Sequence, residues 1–250
     1  MMRNLVLLAA AAGLALAPVI PAAAKPVPAP AAKIGASITA AVADPGRPAE
    51  DKARDTFRKP AELLAFAGVR PGLRIGELLP GGGYFSRIFA RAVGPRGKVY
   101  AYIPGEGPGR GVDRFAPVAG AYPNLTVVRG AGFSAPEPLD LVWTTQNYHD
   151  LHHNGGNAGK INAAVFAALK PGGVYFVSDH RARPGSYTAD VDALHRIDEA
   201  AVILEVEKAG FVLADESYAL RRADDDHTRK PFDIHDQTDQ FVLKFVKPRT

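Results

Sequence analysis

Residues 74–86 of this 250-residue chain read Arg74-Ile75-Gly76-Glu77-Leu78-Leu79-Pro80-Gly81-Gly82-Gly83-Tyr84-Phe85-Ser86. An apolar run ends on an acid, a triple glycine follows, and a helical pattern begins directly afterwards. Glycines at such a turn let a ligand lie against bare backbone and let the helix N-terminus approach it. An acid at the end of the strand can accept hydrogen bonds from an ammonium group or from hydroxyls. The pattern predicts a strand, a ligand-binding loop and a helix, and it favours a cationic or polyhydroxylated ligand.

Spacing argues against the two common phosphate-binding loops. A dinucleotide fingerprint needs a third glycine where this chain has Ser86, and it needs its acid about 20 residues after the glycines rather than before them. A P-loop needs Gly-Lys-Ser or Gly-Lys-Thr, which the run lacks. A strained turn between strand and helix, without any ligand, remains the structural alternative.

The N-terminus has the features of an export signal. Arg3 supplies a short positive start, the run from Leu5 to Ile20 is apolar, and Ala22-Ala23-Ala24 offers a cleavage site after Ala24. The apolar run is too short to span a bilayer, which needs about 20 residues. We therefore expect residues 1–24 to be a signal peptide, no membrane span after its cleavage, and a periplasmic or secreted protein. The chain contains no cysteine, which excludes disulfides, thiolate metal sites and thiol nucleophiles.

Composition divides the rest of the chain into two parts. Residues 25–48 are rich in alanine and proline and predict a flexible linker. Residues 49–250 have the length of one domain with a full core. The formal net charge is +4, with basic residues scattered among acids, so no nucleic-acid surface is indicated. The oligomeric state is not indicated by the sequence.

Hydrophobic periodicity predicts alternating strands and helices. The pattern predicts a helix from Asp51 to Phe66, then the strand of the glycine run, and later helices over Ile161–Lys170 and Asp190–Ala209. Further strands are predicted at Lys98–Ile103, Leu125–Arg129, Leu139–Thr145, Gly173–Ser178, Phe211–Ser217 and Phe241–Val246. The order predicts a doubly wound α/β fold, with a mostly parallel sheet of seven strands and a reversed C-terminal strand.

Four motifs, in the right order, resemble the class I S-adenosylmethionine (SAM) methyltransferases. The glycine run resembles their motif I, with Glu77, Gly81 and Gly83 in register and Leu79 in place of the first glycine. The turn before the fifth predicted strand, Leu169-Lys170-Pro171-Gly172-Gly173, resembles theirs, as does Ala209-Gly210-Phe211 before the sixth. The segment Leu139-Asp140-Leu141-Val142-Trp143 resembles the strand that ends at their methyl-transfer site. Further short pieces resemble a group of exported bacterial proteins described as predicted methyltransferases.

The resemblance implies a Rossmann-like fold and SAM as the cofactor. The residues it assigns to cofactor binding lie in the glycine loop and after two later strands: Glu77, Pro80, Gly81, Gly82, Gly83, Glu106 and Gln146. One departure concerns the second strand, where the family usually has an acid that holds the ribose hydroxyls. This chain has Ile103 there, and Glu106 is the substitute that the loop offers.

Polar residues follow two neighbouring strands of the predicted sheet. The segment from Gln146 to His153 follows one strand, and Asp179-His180-Arg181 follows the next. Ligands of open parallel sheets lie outside the carboxyl ends of the strands, so both segments face the expected cleft. A neutral imidazole there can take a proton from a substrate, with Asp150 or Asp179 orienting the ring.

These positions predict His149, Asp150 and His180 as catalytic residues, with His149 the first choice of base. Asn147 and Tyr148 are predicted to hold the substrate.

Two other interpretations of these histidines stay open. His149 and His153 are spaced to share a helical face and could bind a metal, but Asn154-Gly155-Gly156-Asn157 ends any helix at once. No metal site is therefore predicted. The histidines could also simply cap the following helix. His195 is assigned to a helix surface beside Asp198 and Glu199, and Asp224-Asp225-Asp226-His227 to a solvated loop.

The sequence therefore predicts the transfer of a methyl group from SAM to an unidentified small nucleophilic substrate. The alternative is a non-catalytic exported binding protein that kept the fold and lost or changed its cofactor. A hydrolase is not favoured, because there is no G-x-S-x-G motif and no cysteine.

Overall fold

The computed structural model describes residues 32–105 and 110–249. The strands are β1 (Arg74–Leu78), β2 (Lys98–Pro104), β3 (Leu125–Gly130), β4 (Leu139–Thr145), β5 (Leu169–His180), β6 (Val212–Glu216) and β7 (Gln240–Val246). They form one sheet in the order β3-β2-β1-β4-β5-β7-β6. Strands β1 to β5 pair in parallel, and β7 lies antiparallel between β5 and β6. The predicted doubly wound sheet with a reversed C-terminal strand is confirmed.

Helices cover both faces of this sheet. They are α1 (Ala36–Val42), α2 (Ala49–Ala53), α3 (Asp55–Arg58), α4 (Pro60–Ala67), α5 (Tyr84–Val93), α6 (Arg110–Phe115), α7 (Ala158–Ala168), α8 (Val191–Leu194), α9 (Glu199–Lys208) and α10 (Pro231–Ile234), with 3₁₀ turns at His149–Leu151 and His153–Gly155. Successive side chains of a strand point to opposite faces. In β4, Leu141 and Trp143 join the core under α1, α4 and α5, whereas Val142 joins the core under α7 and α9.

The long helix predicted from Asp51 to Phe66 is three short ones. The chain leaves the helical conformation at Lys59, whose φ is 44°, and α4 begins at the next residue, Pro60. The proline ring disfavours the α conformation for the residue before it, which explains the break.

The helix predicted from Asp190 to Ala209 is also interrupted. His195 ends α8 with a φ of 52°, and Ile197 forms an isolated parallel bridge with Arg181, the residue after β5. Asp198 then starts α9 by accepting a hydrogen bond from the Ala200 backbone N–H. The interruption turns His195 away from the helix surface that the sequence predicted for it.

Part of the predicted flexible linker is folded. Helix α1 lies within residues 25–48, and its Ile38 and Ala41 are buried against α4 and α5. Arg47 is buried as well and donates two hydrogen bonds to Asp55, at 2.8 and 2.7 Å. The predicted linker therefore includes a short buried helix, because the alanine-rich composition that indicated a linker also suits helix formation.

No helix within 32–105 and 110–249 combines the length and the apolar character needed to cross a membrane. Residues 1–24, the predicted signal peptide, lie outside the described residues.

Candidate functional site

A large cleft opens at the carboxyl ends of the parallel strands. Its volume is about 1440 Å³, which exceeds the usual range for a pocket that binds a drug-sized molecule. The loop after β1, the ends of β2 and β4, and the segments around α2, α3 and α10 form its walls. The residues that line it include Arg58, Leu79, Pro80, Gly81, Gly82, Ile103, Thr145, Gln146, Asn147, Asp150, His180 and Phe232.

The loop between β1 and α5 has an unusual backbone. Leu79, Gly81 and Gly83 have φ angles of 53°, 59° and 81°. A Cβ atom on Gly83 would come within 2.5 Å of Val118, so only glycine fits there. A Cβ atom on Gly81 or Gly82 would meet no atom of the described residues within 4 Å. Both glycines therefore present bare backbone to the cleft, as the sequence predicted for a ligand-binding loop.

Glu77 supports this loop from below and does not line the cleft. Its side chain is 4 % exposed and accepts a hydrogen bond from the hydroxyl of Ser86, in the first turn of α5. Burial raises the pKa of Glu77 to about 8, although the hydrogen bond from Ser86 opposes this shift. Glu77 therefore lies beneath the loop rather than in the cleft lining, and its contact with a cofactor stays a prediction.

Arg58 is a cleft residue that the sequence analysis did not assign to the site. Its guanidinium lies 4.3 Å from the centre of the Tyr84 ring and donates to the Gln146 side-chain oxygen at 2.8 Å. Its Nε is buried without a hydrogen-bond partner among the described residues. Burial lowers the pKa of Arg58 to about 10, so the group is still cationic at neutral pH. Such a cation is placed to bind a carboxylate in the cleft.

The polar segment after β4 places some of its side chains in the cleft and others in the core. Gln146 and Asn147 line the cleft, and Gln146 has a φ of 61°. The Asn147 amide donates to the Leu79 carbonyl at 2.7 Å and so ties the glycine loop to β4. Tyr148 is fully buried, and its hydroxyl donates to Glu205 at 2.9 Å. Tyr148 therefore lies in the core rather than at the cleft, Asn147 has a structural contact, and the substrate roles of both residues stay predictions.

His149 is held by a buried carboxylate. Its backbone N–H donates to Asp179 at 2.7 Å, and its ring Nδ1 lies 3.0 Å from both carboxylate oxygens. Burial lowers the pKa of His149, but the charge of Asp179 outweighs it, so the pKa lies above its usual value. His149 is 4 % exposed and is not among the described residues that line the cleft. The geometry therefore gives it no direct access to a substrate there.

Asp150 and His180, the other two predicted catalytic residues, line the cleft. The His180 ring accepts or donates one hydrogen bond through Nδ1, 2.7 Å from the Thr238 hydroxyl. Burial lowers the pKa of His180 to about 3, despite the nearby Asp179 carboxylate. His180 is therefore a neutral imidazole at physiological pH. Burial raises the pKa of the Asp150 carboxyl, a shift that the nearby His149 opposes.

Two histidines from different parts of the chain join this region. The ring Nε2 of His153 lies 3.2 Å from Nδ1 of His195, and the His149 ring lies 5.5 Å from the His195 ring. The sequence placed His195 on an exposed helix surface, which the structure corrects. A helical pattern alone could not reveal this position, because the break before Ile197 carries neither glycine nor proline.

The end of β2 offers an apolar side chain to the cleft. Ile103 lines it, at the position where the resemblance led us to expect an acid. Glu106, the predicted substitute, lies outside the described residues.

One residue of the acidic run near residue 225 is buried, whereas Asp224 and Asp226 are exposed as expected for a solvated loop. Asp225 is buried and accepts two hydrogen bonds from the guanidinium of Arg196, at 2.9 and 3.0 Å. The backbone N–H groups of His227 and Asp239 also donate to its carboxylate. Asp225 therefore holds together parts of the segment between β6 and β7.

Comparison with known proteins identifies the fold. No protein-family model and no curated protein matches this chain. Among solved structures, a SAM-dependent methyltransferase from Aquifex aeolicus aligns with a TM-score of 0.55 and 15% identity, over 78% of this chain and 98% of that one. The glycopeptide N-methyltransferase MtfA, complexed with S-adenosylhomocysteine, gives 0.51 and 15%, over 78% and 87%. The [4+2]-cyclase SpnF gives 0.56 and 15%, over 81% and 82%.

At these identities the similarity establishes a shared fold, that of class I SAM-dependent methyltransferases. The cyclase has the same fold, so the fold alone does not fix the reaction.

Proposed function

We propose that this protein transfers a methyl group from SAM to a small nucleophilic substrate. The observation that carries this proposal is the loop from Leu79 to Gly83, which presents open glycine backbone to a cleft of about 1440 Å³ at the carboxyl ends of the strands. In open α/β sheets this is where ligands bind. Bound SAM would supply an electrophilic methyl group on its sulfonium.

Two groups in the cleft suit the amino-acid end of SAM. Arg58 is a cation whose Nε has no partner among the described residues, and it can bind a carboxylate. The hydroxyl of Thr145 is buried at the end of β4 and likewise lacks a partner there. Buried polar groups are normally hydrogen-bonded, so both atoms are available to a ligand. Ile103 has no polar side-chain group that could bind the ribose hydroxyls of SAM. Strand β2 therefore does not supply this contact.

The substrate is proposed to lie beside Asp150 and His180. Both line the cleft near the end of β4 and β5, next to the glycine loop. Methyl transfer depends mainly on holding the two reactants in line, and a base assists only if the nucleophile is protonated. The chain's own contribution is therefore chiefly orientation and the exclusion of water.

Gly82→Val tests the cofactor site. The valine Cβ would enter open space above the loop, since no described atom other than those of the chain neighbours lies within 4 Å of it. We expect wild-type protein to bind SAM or S-adenosylhomocysteine with a Kd of about 1 μM to 1 mM, and the variant to bind at least about 10-fold more weakly. Isothermal titration calorimetry measures both.

Gly132→Val is the matched control. Gly132 also has open space around its Cβ position, but it is not among the described residues that line the cleft. This variant should bind as the wild type does, with the same melting temperature. If wild-type protein gives no heat with either nucleoside at millimolar concentration, the proposal is wrong, and the alternative of an exported binding protein with another ligand takes its place.

We also propose that the chain is exported to the periplasm or secreted, as residues 1–24 indicate. Cleavage after Ala24 should give a mature N-terminus at Lys25. Mass spectrometry of protein from a periplasmic or culture fraction measures that terminus. Recovery of soluble cytoplasmic protein that retains Met1 would contradict export.

A further inference from the structure

Three histidines and one aspartate converge on a small region beside the cleft. Ligand atoms of His149, Asp150, His153 and His195 all lie within 4.8 Å of one another. Asp150 Oδ1 is 3.5 Å from Nε2 of His149 and 3.4 Å from Nε2 of His153. The fourth atom, Nδ1 of His195, is 3.2 Å from the same His153 nitrogen.

Two further carboxylates fix the hydrogen positions on these rings. Nδ1 of His149 faces Asp179 at 3.0 Å, and Nδ1 of His153 faces Asp192 at 2.6 Å. A histidine binds a metal as the neutral imidazole, which has one N–H, and in that form the carboxylate accepts this N–H, so the proton of each ring lies on Nδ1. The two Nε2 atoms are then unprotonated, and their lone pairs point toward the carboxylate of Asp150.

This arrangement places hydrogen-bond acceptors close together, with too few N–H donors to pair with them. The lone pairs of two imidazoles and a carboxylate oxygen meet within hydrogen-bond range, and only His195 can offer one N–H to them. A cation between these atoms would remove the repulsion. Metal-binding histidines usually donate their second ring N–H to a carboxylate, which is the role that Asp179 and Asp192 fill here.

We propose that His149, His153, His195 and Asp150 bind one divalent transition-metal ion, with zinc the best match. Zinc is bound tetrahedrally at about 2.0 to 2.2 Å, which puts neighbouring ligand atoms about 3.3 to 3.6 Å apart. The distances of 3.5 and 3.4 Å lie in this range, and that of 3.2 Å lies just below it. Three imidazole nitrogens also suit zinc better than magnesium or calcium, which take oxygen ligands.

The site lies at the wall of the cleft. Asp150 belongs both to the ligand cluster and to the cleft lining, and Phe232, another cleft residue, packs against the His195 ring at 4.9 Å. The ion would therefore lie beside the cleft, with Asp150 between it and the proposed substrate position. The inference does not rest on methyl transfer, because it follows from these side chains alone.

Zinc binding to the full chain tests the proposal. Protein purified without a histidine tag is freed of metal by a chelator and titrated with zinc in a calorimeter, and bound metal is counted by mass spectrometry after dialysis. We expect about one zinc ion per chain. His195→Gln and His153→Gln should each weaken binding by at least about 100-fold, and Asp192→Asn by about 10-fold. Zinc should raise the melting temperature of the wild type but not of His195→Gln.

His152→Gln is the matched control. His152 is a neighbour in sequence, but its ring nitrogen faces Glu205 at 3.1 Å, outside the cluster. This variant should bind zinc as the wild type does.

Asp192 is exposed and His195 is half-buried. Substitutions at these two positions should leave the protein folded, so they still test the proposal if His153→Gln does not fold. The proposal is overturned if folded wild-type protein binds no zinc, cobalt, nickel or manganese, or if His195→Gln binds zinc with unchanged affinity. SAM is absent from the experiment, so its outcome is independent of the cofactor test.

Discussion

Arg196→Met should lower the free energy of unfolding by about 3 to 5 kcal/mol, because it leaves a carboxylate buried without its cation. Arg196 is 0 % exposed and makes two hydrogen bonds to Asp225. It also donates to the carbonyls of Arg181 and Arg229, at 2.9 and 2.8 Å. The substitution removes all four bonds while keeping most of the side-chain volume. Urea denaturation measures the loss.

Arg183→Met is the matched control for this prediction. Arg183 is paired with Asp190 at 3.4 Å, but its side chain is 61% exposed. Surface ion pairs contribute about 0 to 1 kcal/mol, so this variant should unfold close to the wild type. A loss below about 1 kcal/mol in Arg196→Met would show that the Asp225 carboxylate is not dependent on the guanidinium.

Glu77→Gln should remove a loss of folding stability that the wild type undergoes as pH rises. This is the second largest effect that we expect of a substitution. The pKa of Glu77 is about 8 in the folded protein, above its ordinary value of 4.5. The unfolded chain therefore releases this proton first as pH rises, and the wild type loses stability from about pH 4.5 to about pH 8. The glutamine variant has no such loss. Relative to the variant, the wild type should lose about 3 kcal/mol between pH 4.5 and pH 7.

The change with pH, rather than the offset at one pH, is the quantity to measure. Glutamine places a buried amide beside Ser86, which shifts stability equally at every pH. Ser86→Ala provides a second arm, because it removes the hydrogen bond that favours the charged form of Glu77. It should therefore extend the loss of stability to higher pH. Parallel stability curves for wild type and Glu77→Gln across this range would refute the raised pKa.

The strands could be predicted because short apolar runs, bounded by turn residues, specify them locally. The segment Leu139–Thr145 was placed without error, and the other strands shifted by few residues except β5, which begins at Leu169. Helix breaks were harder to find. The one at Lys59 has a signal in Pro60, whereas the one at His195 depends on the bridge between Ile197 and Arg181. A bridge of that kind is a long-range pairing, which periodicity does not show.

The position of the candidate site could also be predicted from the sequence, because it depends on the order of the strands. Topology places the ends of β1, β4 and β5 together, so the glycine loop, Gln146, Asp150 and His180 were expected at one cleft. Side-chain direction was not available from sequence. Tyr148 and Glu77 point into the protein, and Arg58 points into the cleft from a helix that precedes the sheet.

The cluster of His149, Asp150, His153 and His195 could not be found in this way, because its members come from distant segments. The first three are neighbours in sequence, but His195 arrives through the interrupted helix, and Asp179, which contacts His149, lies in β5. Each of these residues has a simpler local explanation when it is considered alone. Only their distances in the folded chain single them out.

The place of β7 between β5 and β6 has a consequence for biosynthesis. Strand β6 pairs only with β7 within the sheet, and Phe241, Leu243 and Phe245 of β7 fill the core. A nascent chain therefore lacks a complete core until the ribosome has passed residue 246, although all the other strands have already been made. Contacts distant in sequence also form slowly, so completion of the sheet comes late in the synthesis of the chain. For a protein that we propose to be exported, a late-closing sheet leaves more time for passage through a translocation channel before folding is complete.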